Sequence, residues 1–167
     1  MNVAIVYLST LAIPLVLCSC AGTVAKGTQN RFASTTKKIE NVRTTAYTHT
    51  ERDHIVYGRM SASGTRLTDG RIRSAAADWS RFPVGTKFRI RETGQVYQVD
   101  DYGSALEGTS TIDLYAPTRR EMNRWGVRFV NIDVLEWGSP QVSLKILKPR
   151  AKHPHVRAMI RALERNM

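Results

Sequence analysis

A chain of 167 residues is enough for one ordinary domain with tails. Its 25 Lys and Arg against 14 Asp and Glu give a formal charge of +11, which favours an acidic partner: nucleic acid, anionic lipid or an anionic wall polymer. There is no zinc-type cysteine spacing, Walker glycine loop or aromatic-rich RNA signature. Both cysteines, Cys18 and Cys20, fall at the extreme N-terminus, which excludes a disulfide framework for the folded part.

Residues Val3 to Leu17 form an apolar run broken by Ser9, Thr10 and Pro14, too short for a comfortable membrane span. It fits the h-region of a secretory signal spanning 1–20. The following Leu17-Cys18-Ser19-Cys20-Ala21 resembles a lipobox, with Cys20 as the lipidation site; ordinary cleavage after Ala21 is the rival. Either way the mature protein is expected outside the cytoplasm, periplasmic and anchored to the outer membrane as a lipoprotein, or else secreted. That argues against nucleic acid as partner. Residues 21–43 are rich in Thr, Ser, Lys, Gly and Asn and read as a flexible tether, in which Lys37 and Lys38 are solvated or rest on acidic polymer.

Order is expected from Arg43-Thr-Thr-Ala-Tyr-Thr48, a first strand. A polar loop follows, 51–68, in which His54 reads as a surface or packing histidine. Arg71 to Asp78 is a strand of small residues, suited to a crowded barrel interior. Phe82-Pro83-Val84-Gly85-Thr86 is a turn, Lys87 to Arg91 alternates with Phe88 and Ile90 inward, and Glu92-Thr93-Gly94 closes a hairpin into the strand of Val96 and Val99. Ile112 and Leu114 alternate with Asp113 and Tyr115, so a core that takes the aliphatic pair sends Asp113 out of the opposite face. The same alternation places Asp100 opposite Asp101. Between these strands a loop with Gly103 and Gly108 is able to hinge Asp101 toward Asp113. Thr118-Arg-Arg-Glu121 is a capping box opening a short helix that Gly126 ends, with Met122 and Trp125 toward the core. Arg128 to Val134 is a last strand. In the basic tail, 139–167, Val142, Leu144 and Ile146 alternate as a further strand would. Val156, Met159, Ile160 and Leu163 recur at helical spacing, giving a basic amphipathic helix able to lie on an anionic surface or dock on the domain. The sum is a small, mainly β closed barrel.

Several landmarks in order resemble the three-aspartate, or 3D, domain of bacterial cell-wall enzymes, including the catalytic part of the membrane-bound lytic transglycosylase A family. They are Thr45-Ala-Tyr-Thr48, Ser63-Gly64-Thr65, Ala77-Asp78 with Phe82-Pro-Val-Gly-Thr86, Asp101-x-Gly103-Ser-Ala-Leu-x-Gly108, Ile112-Asp113-Leu-Tyr115 and Trp125-Gly126. The resemblance covers about Thr44 to Gly138. It implies a six-stranded double-psi β-barrel, with one short helix, over 44–138 and catalytic aspartates at Asp78, Asp101 and Asp113. Asp113 is then the acid/base, and the substrate contacts fall on Tyr47, Tyr102, Gly103, Ser104, Glu107, Gly108 and Tyr115. It further implies a monomer acting on peptidoglycan glycan strands without metal or other cofactor, as a lytic transglycosylase leaving 1,6-anhydro ends. The tail and a lipid anchor are expected to add membrane or wall contact. Tyr102 stands where the family usually has Thr, and Glu107 where it often has Lys. A non-catalytic polysaccharide-binding barrel and a hydrolytic glycosidase are the alternative readings. Calcium is disfavoured, since Asp100-Asp-Tyr-Gly lacks the EF-hand spacing.

Overall fold

The computed structural model describes residues 37–52 and 54–167; the signal-like segment, Cys18, Cys20 and the tether up to residue 36 lie outside them. Six strands form along the chain: β1 (Lys37–Tyr47), β2 (Ile72–Ala77), β3 (Lys87–Ile90), β4 (Val96–Asp101), β5 (Ile112–Tyr115) and β6 (Arg128–Glu136). They close into one barrel in the order β1-β5-β2-β4-β3-β6. β1 pairs with β5, and β2 with β4, in parallel; the other four ladders are antiparallel. Parallel neighbours cannot be joined by a hairpin, so both seams bring together strands distant in sequence. This is the small closed, mainly β barrel that the alternation anticipates.

The barrel interior takes every second side chain: Ala75 and Ala77 of β2, Phe88 and Ile90, Tyr97 and Val99, Ile112 and Leu114, and Val130, Ile132 and Val134. The two alanines are wholly buried. They leave room in the interior for the rings of Phe88 on β3 and Tyr97 on the adjoining β4, stacked at 5.6 Å. A second, smaller cluster of Tyr47, Leu67, Ala76, Leu106 and Tyr115 lies apart from that interior. Ala76 alternates with Ala75 and Ala77, so this cluster lies on the outer surface of β1, β5 and β2 and is roofed by the loops carrying Leu67 and Leu106.

The helix α1 (Arg119–Trp125) is capped as its sequence foretells. The Thr118 side chain accepts the Glu121 amide, and Gly126 ends it at a φ of 61°. Its Trp125 indole donates to Thr44 Oγ1 at 3.2 Å, tying the helix to β1.

Three expectations are corrected. First, β1 begins at Lys37, so the last part of the stretch read as tether is strand. Lys37 and Lys38 sit opposite Val134 and Asp133 of β6. Second, Val142, Leu144 and Ile146 do not form a strand. Ser139 caps a helix, α2 (Pro140–Leu147), by accepting the Val142 amide, with Pro140 in its first turn. Burial follows Pro140, Ser143, Leu144 and Leu147, a period near 3.6, while Val142 stays 47% exposed. Third, there is more than one helix, because the tail also folds onto the barrel. In α3 (Pro154–Asn166), Val156, Met159 and Leu163 join the main core. The apolar face that suited an anionic surface is thereby spent on the protein itself, and outward contact is left to the arginines. Among the described residues no helix is long and apolar enough to cross a membrane.

The turn at Phe82–Thr86 joins barrel to tail. Thr86 Oγ1 donates to the Pro83 carbonyl at 2.6 Å and accepts the Gly138 amide at 3.0 Å, and the Val84 amide donates to Ser143 Oγ of α2.

Candidate active site

Asp101 of β4 and Asp113 of β5 face the same residue, Ala76 of β2, from its two sides. On the far side of β5, Thr45 of β1 is in register with Asp113. Residues in register on neighbouring strands share a face, so Thr45, Asp113, Ala76 and Asp101 form one row across the outer wall of the barrel. Two strand spacings put the acids' Cα atoms roughly 9–10 Å apart, and the residue between them contributes only a methyl group. The proximity expected from a glycine hinge is therefore set by strand register instead. Asp113 is half-buried while Ile112 and Leu114 on either side are buried in the core, as alternation requires. Its Oδ1 accepts a 2.6 Å hydrogen bond from the Thr45 hydroxyl.

Asp101 is only 5% exposed. Its Oδ2 accepts the Tyr47 hydroxyl at 3.1 Å, and its Oδ1 accepts the amides of Ala62 and Tyr102, both at 2.9 Å. Burial raises its carboxyl above the usual carboxylate range, against the pull of those amides. Tyr47 is driven well above the ordinary phenol range by burial and then by the Asp101 and Asp100 charges, so it is a neutral donor to Asp101. The loop bearing Ser61, Ser63 and Thr65 is held over this end of the row. The three hydroxyls lie within 3.0 Å of one another, and the Ala62 carbonyl accepts from Arg150.

Asp100 does not take the opposite face. The β2–β4 register steps from Ala75↔Val99 to Ala76↔Asp101, leaving Asp100 as the extra residue of a bulge. Its Oδ2 accepts the Ser74 hydroxyl at 2.6 Å, and Ser74 shares the face of Ala76. Burial, and then the Asp101 charge, push its carboxyl from 3.8 up to about 6. The folded protein thus holds this proton to higher pH than the unfolded chain does. The stabilisation is full below about pH 4 and is lost as pH rises through about 6. Two pKa units correspond to about 3 kcal/mol. Asp100→Asn is expected to raise stability at pH 7 by about 1–3 kcal/mol and to flatten its pH dependence over that window. Urea unfolding at a series of pH values measures this, and parallel curves for the two proteins would rule it out.

Asp78 lies just beyond the end of β2, two residues after Ala76. It is 2% exposed, and its two oxygens accept the amides of Ser80 and Gly108 at 2.8 and 2.7 Å. It is a tie that fixes the 103–108 loop. Tyr115 is buried with its hydroxyl 2.8 Å from His49 Nδ1, and burial followed by the Arg59 charge lowers the His49 pKa. Tyr47 and Tyr115 are therefore the floor of the site. The Tyr102 ring turns away from it, packed edge-on to Trp79 at 5.0 Å and beside His155. Gly103 caps a short 3-10 turn at Ser104–Leu106, of which Ser104 is exposed. Glu107 and Gly108 line a cleft facing α3.

Three participants are not among the residues expected at the site. Thr45 was legible, two residues from Tyr47 on one strand face. His54 is a packing histidine, the second of the two roles expected of it: its ring lies 5.6 Å from Tyr47 and 6.0 Å from Tyr57, beside the Asp101 end of the row. Tyr57 is 66% exposed in a loop with exposed Ile55, Val56 and Met60, presenting an aromatic face at the rim. Neither has a periodic signal in sequence. Among the described residues no group of His, Cys, Asp and Glu is arranged to hold a metal ion.

Residues 73–136 match the 3D domain family. The chain is similar to the cell wall-binding protein YocH of Bacillus subtilis (strain 168), 28% identical over 113 residues, which is 67% of this chain and 37% of that protein. It thus spans little more than a third of that relative's length. A solved structure, MltA from E. coli, aligns at 24% identity over 47% of this chain and 27% of that one, with a TM-score of 0.36.

Proposed function

We propose that this protein, whose residues 73–136 match the 3D domain family, engages peptidoglycan outside the cytoplasm and cleaves its MurNAc–GlcNAc bond as a lytic transglycosylase. The observation that carries this reading is the row Asp113–Ala76–Asp101 on an outer barrel wall. It sets one half-buried carboxyl group and one buried carboxyl group in register on either side of a single alanine.

Asp113 is the acid/base. As a carboxylic acid it donates its proton to the glycosidic oxygen while the C1–O bond breaks and oxocarbenium charge develops. As a carboxylate it then takes the proton of the C6 hydroxyl while that oxygen bonds to C1, closing the 1,6-anhydro ring. No water enters, and the proton returns to Asp113. Asp101, neutralised or charged behind its Tyr47 bond, sets the field in which Asp113 gives up and regains that proton. Thr45 fixes the orientation of the Asp113 carboxyl group, and the exposed ring of Tyr57 offers a face to a sugar. Mass spectrometry of purified sacculi incubated with the protein tests the reaction. Anhydro-muropeptides are the expected product; reducing ends would mean hydrolysis, and sacculi that bind the protein uncut would mean a wall-binding module, the role named for YocH.

Thr45→Val removes the 2.6 Å bond to Asp113 and keeps the β-branched shape. It is expected to lower kcat about tenfold with KM unchanged, since orientation acts on the reacting group and not on remote binding. Steady-state kinetics on soluble glycan oligomers measures the split.

A further inference from the structure

A second cleft, of about 360 Å³, opens between α3 and the loop at Gly108. Ala158, Arg161, Ala162 and Arg165 line its helical wall, at the i, i+3, i+4, i+7 spacing of one helix face. The alanines leave room, and the two arginines extend along its sides. Opposite them, Arg81 is held in place by bonds to Ser110 Oγ at 3.0 Å and the Gly108 carbonyl at 3.1 Å. Among the described residues none of these three guanidinium groups belongs to an ion pair. Asp78 also borders the cleft, but backbone amides occupy both its oxygens. Glu107 is the one lining acid left to meet a ligand.

Three cations and one available carboxylate suit a ligand with several carboxylates and one ammonium group, and not a uniform polyanion, which Glu107 would repel. The peptides carried by wall glycan have that composition. Gly108 also lies within about 18 Å of Asp113 by chain length alone, a span that a short peptide on a bound sugar covers. We propose that this cleft binds the acidic, amine-bearing peptide attached to the glycan, a reading that rests on peptidoglycan being the polymer the protein engages. Arg161 and Arg165 pair with its carboxylates and Glu107 with its amine, while the sugar backbone lies at Asp113.

The test uses the full chain and a fluorescent, sugar-free tripeptide with several carboxylates and one free amine, followed by anisotropy. Saturable binding is expected for the wild type, and at least tenfold weaker binding for Arg161→Ala/Arg165→Ala, whose two sites are exposed, with an unchanged melting temperature and unchanged cleavage of peptide-stripped glycan. Acetylating the peptide amine weakens wild-type binding, and Glu107→Gln erases that difference. The proposal is overturned by absent wild-type binding, by equal binding in the double variant, or by inorganic polyphosphate displacing the label at lower concentration than unlabelled peptide does. Peptide binding as expected by a protein that releases no glycan fragments would uphold the cleft assignment and reject the cleavage reaction.

Discussion

Asp113→Asn is expected to slow the release of anhydro-muropeptides from sacculi by about 10³-fold or more, with the melting temperature moving little. In the proposed mechanism one carboxyl group serves both proton transfers, so its loss is expected to stop bond breaking and ring closure together. The amide is isosteric and still accepts from Thr45, whose hydroxyl donates to the native carboxylate at 2.6 Å. The position is half-buried on the outer wall, with the core contacts made by Ile112 and Leu114 on either side, so packing is unaffected. Binding to insoluble sacculi should persist, since the proposed peptide contacts lie elsewhere. A variant cleaving at the wild-type rate would remove Asp113 from the mechanism. A variant that unfolds would show instead that the acid is structural.

Gly138→Ala is expected to destabilise the fold by more than about 4 kcal/mol, a fall in melting temperature of about 15 °C or more, or to prevent folding. A Cβ there would overlap the carbonyl oxygens of Val84 and Pro83 and reach within 2.6 Å of the Thr86 nitrogen. All three are backbone atoms of one tight turn, held by the Thr86 hydroxyl between Pro83 and Gly138. None can yield without breaking that junction. Gly94→Ala is the contrast. Gly94 has a φ of 70° but nothing within 4 Å of the added carbon, so only the left-handed strain of about 1–2 kcal/mol is felt. Thermal unfolding of the two variants side by side separates steric exclusion from backbone strain. Equal losses would mean the turn is softer than its contacts indicate.

Strand β2 was readable as a run of small residues, and strands such as β3 and β6 because they keep a period of two with one face buried. Asp113 was readable as an outward acid for the same reason. The bulge at Asp100 was not, because an extra residue in one strand is defined by its partner, and β2 lies far upstream of β4. The same holds for the link between Asp101 and Asp113: it runs through Ala76, an unremarkable alanine until both ladders are known. The helix α2 was misread because Val142, Leu144 and Ile146 alternate by chance, whereas Ser139-Pro140 carried the true signal of a capped start. Asp78 matched the expected motif by position, yet its two oxygens serve the backbone of a loop.

The parallel seams carry one more consequence. The carboxylates, the alanine between them and the threonine beside them come from four strands, none of which meets its neighbour in the row through a tight turn. No local fragment holds even a partial copy of this arrangement. A nascent or half-folded chain therefore lacks the row altogether, and any activity proposed for it is expected only once both seams have closed.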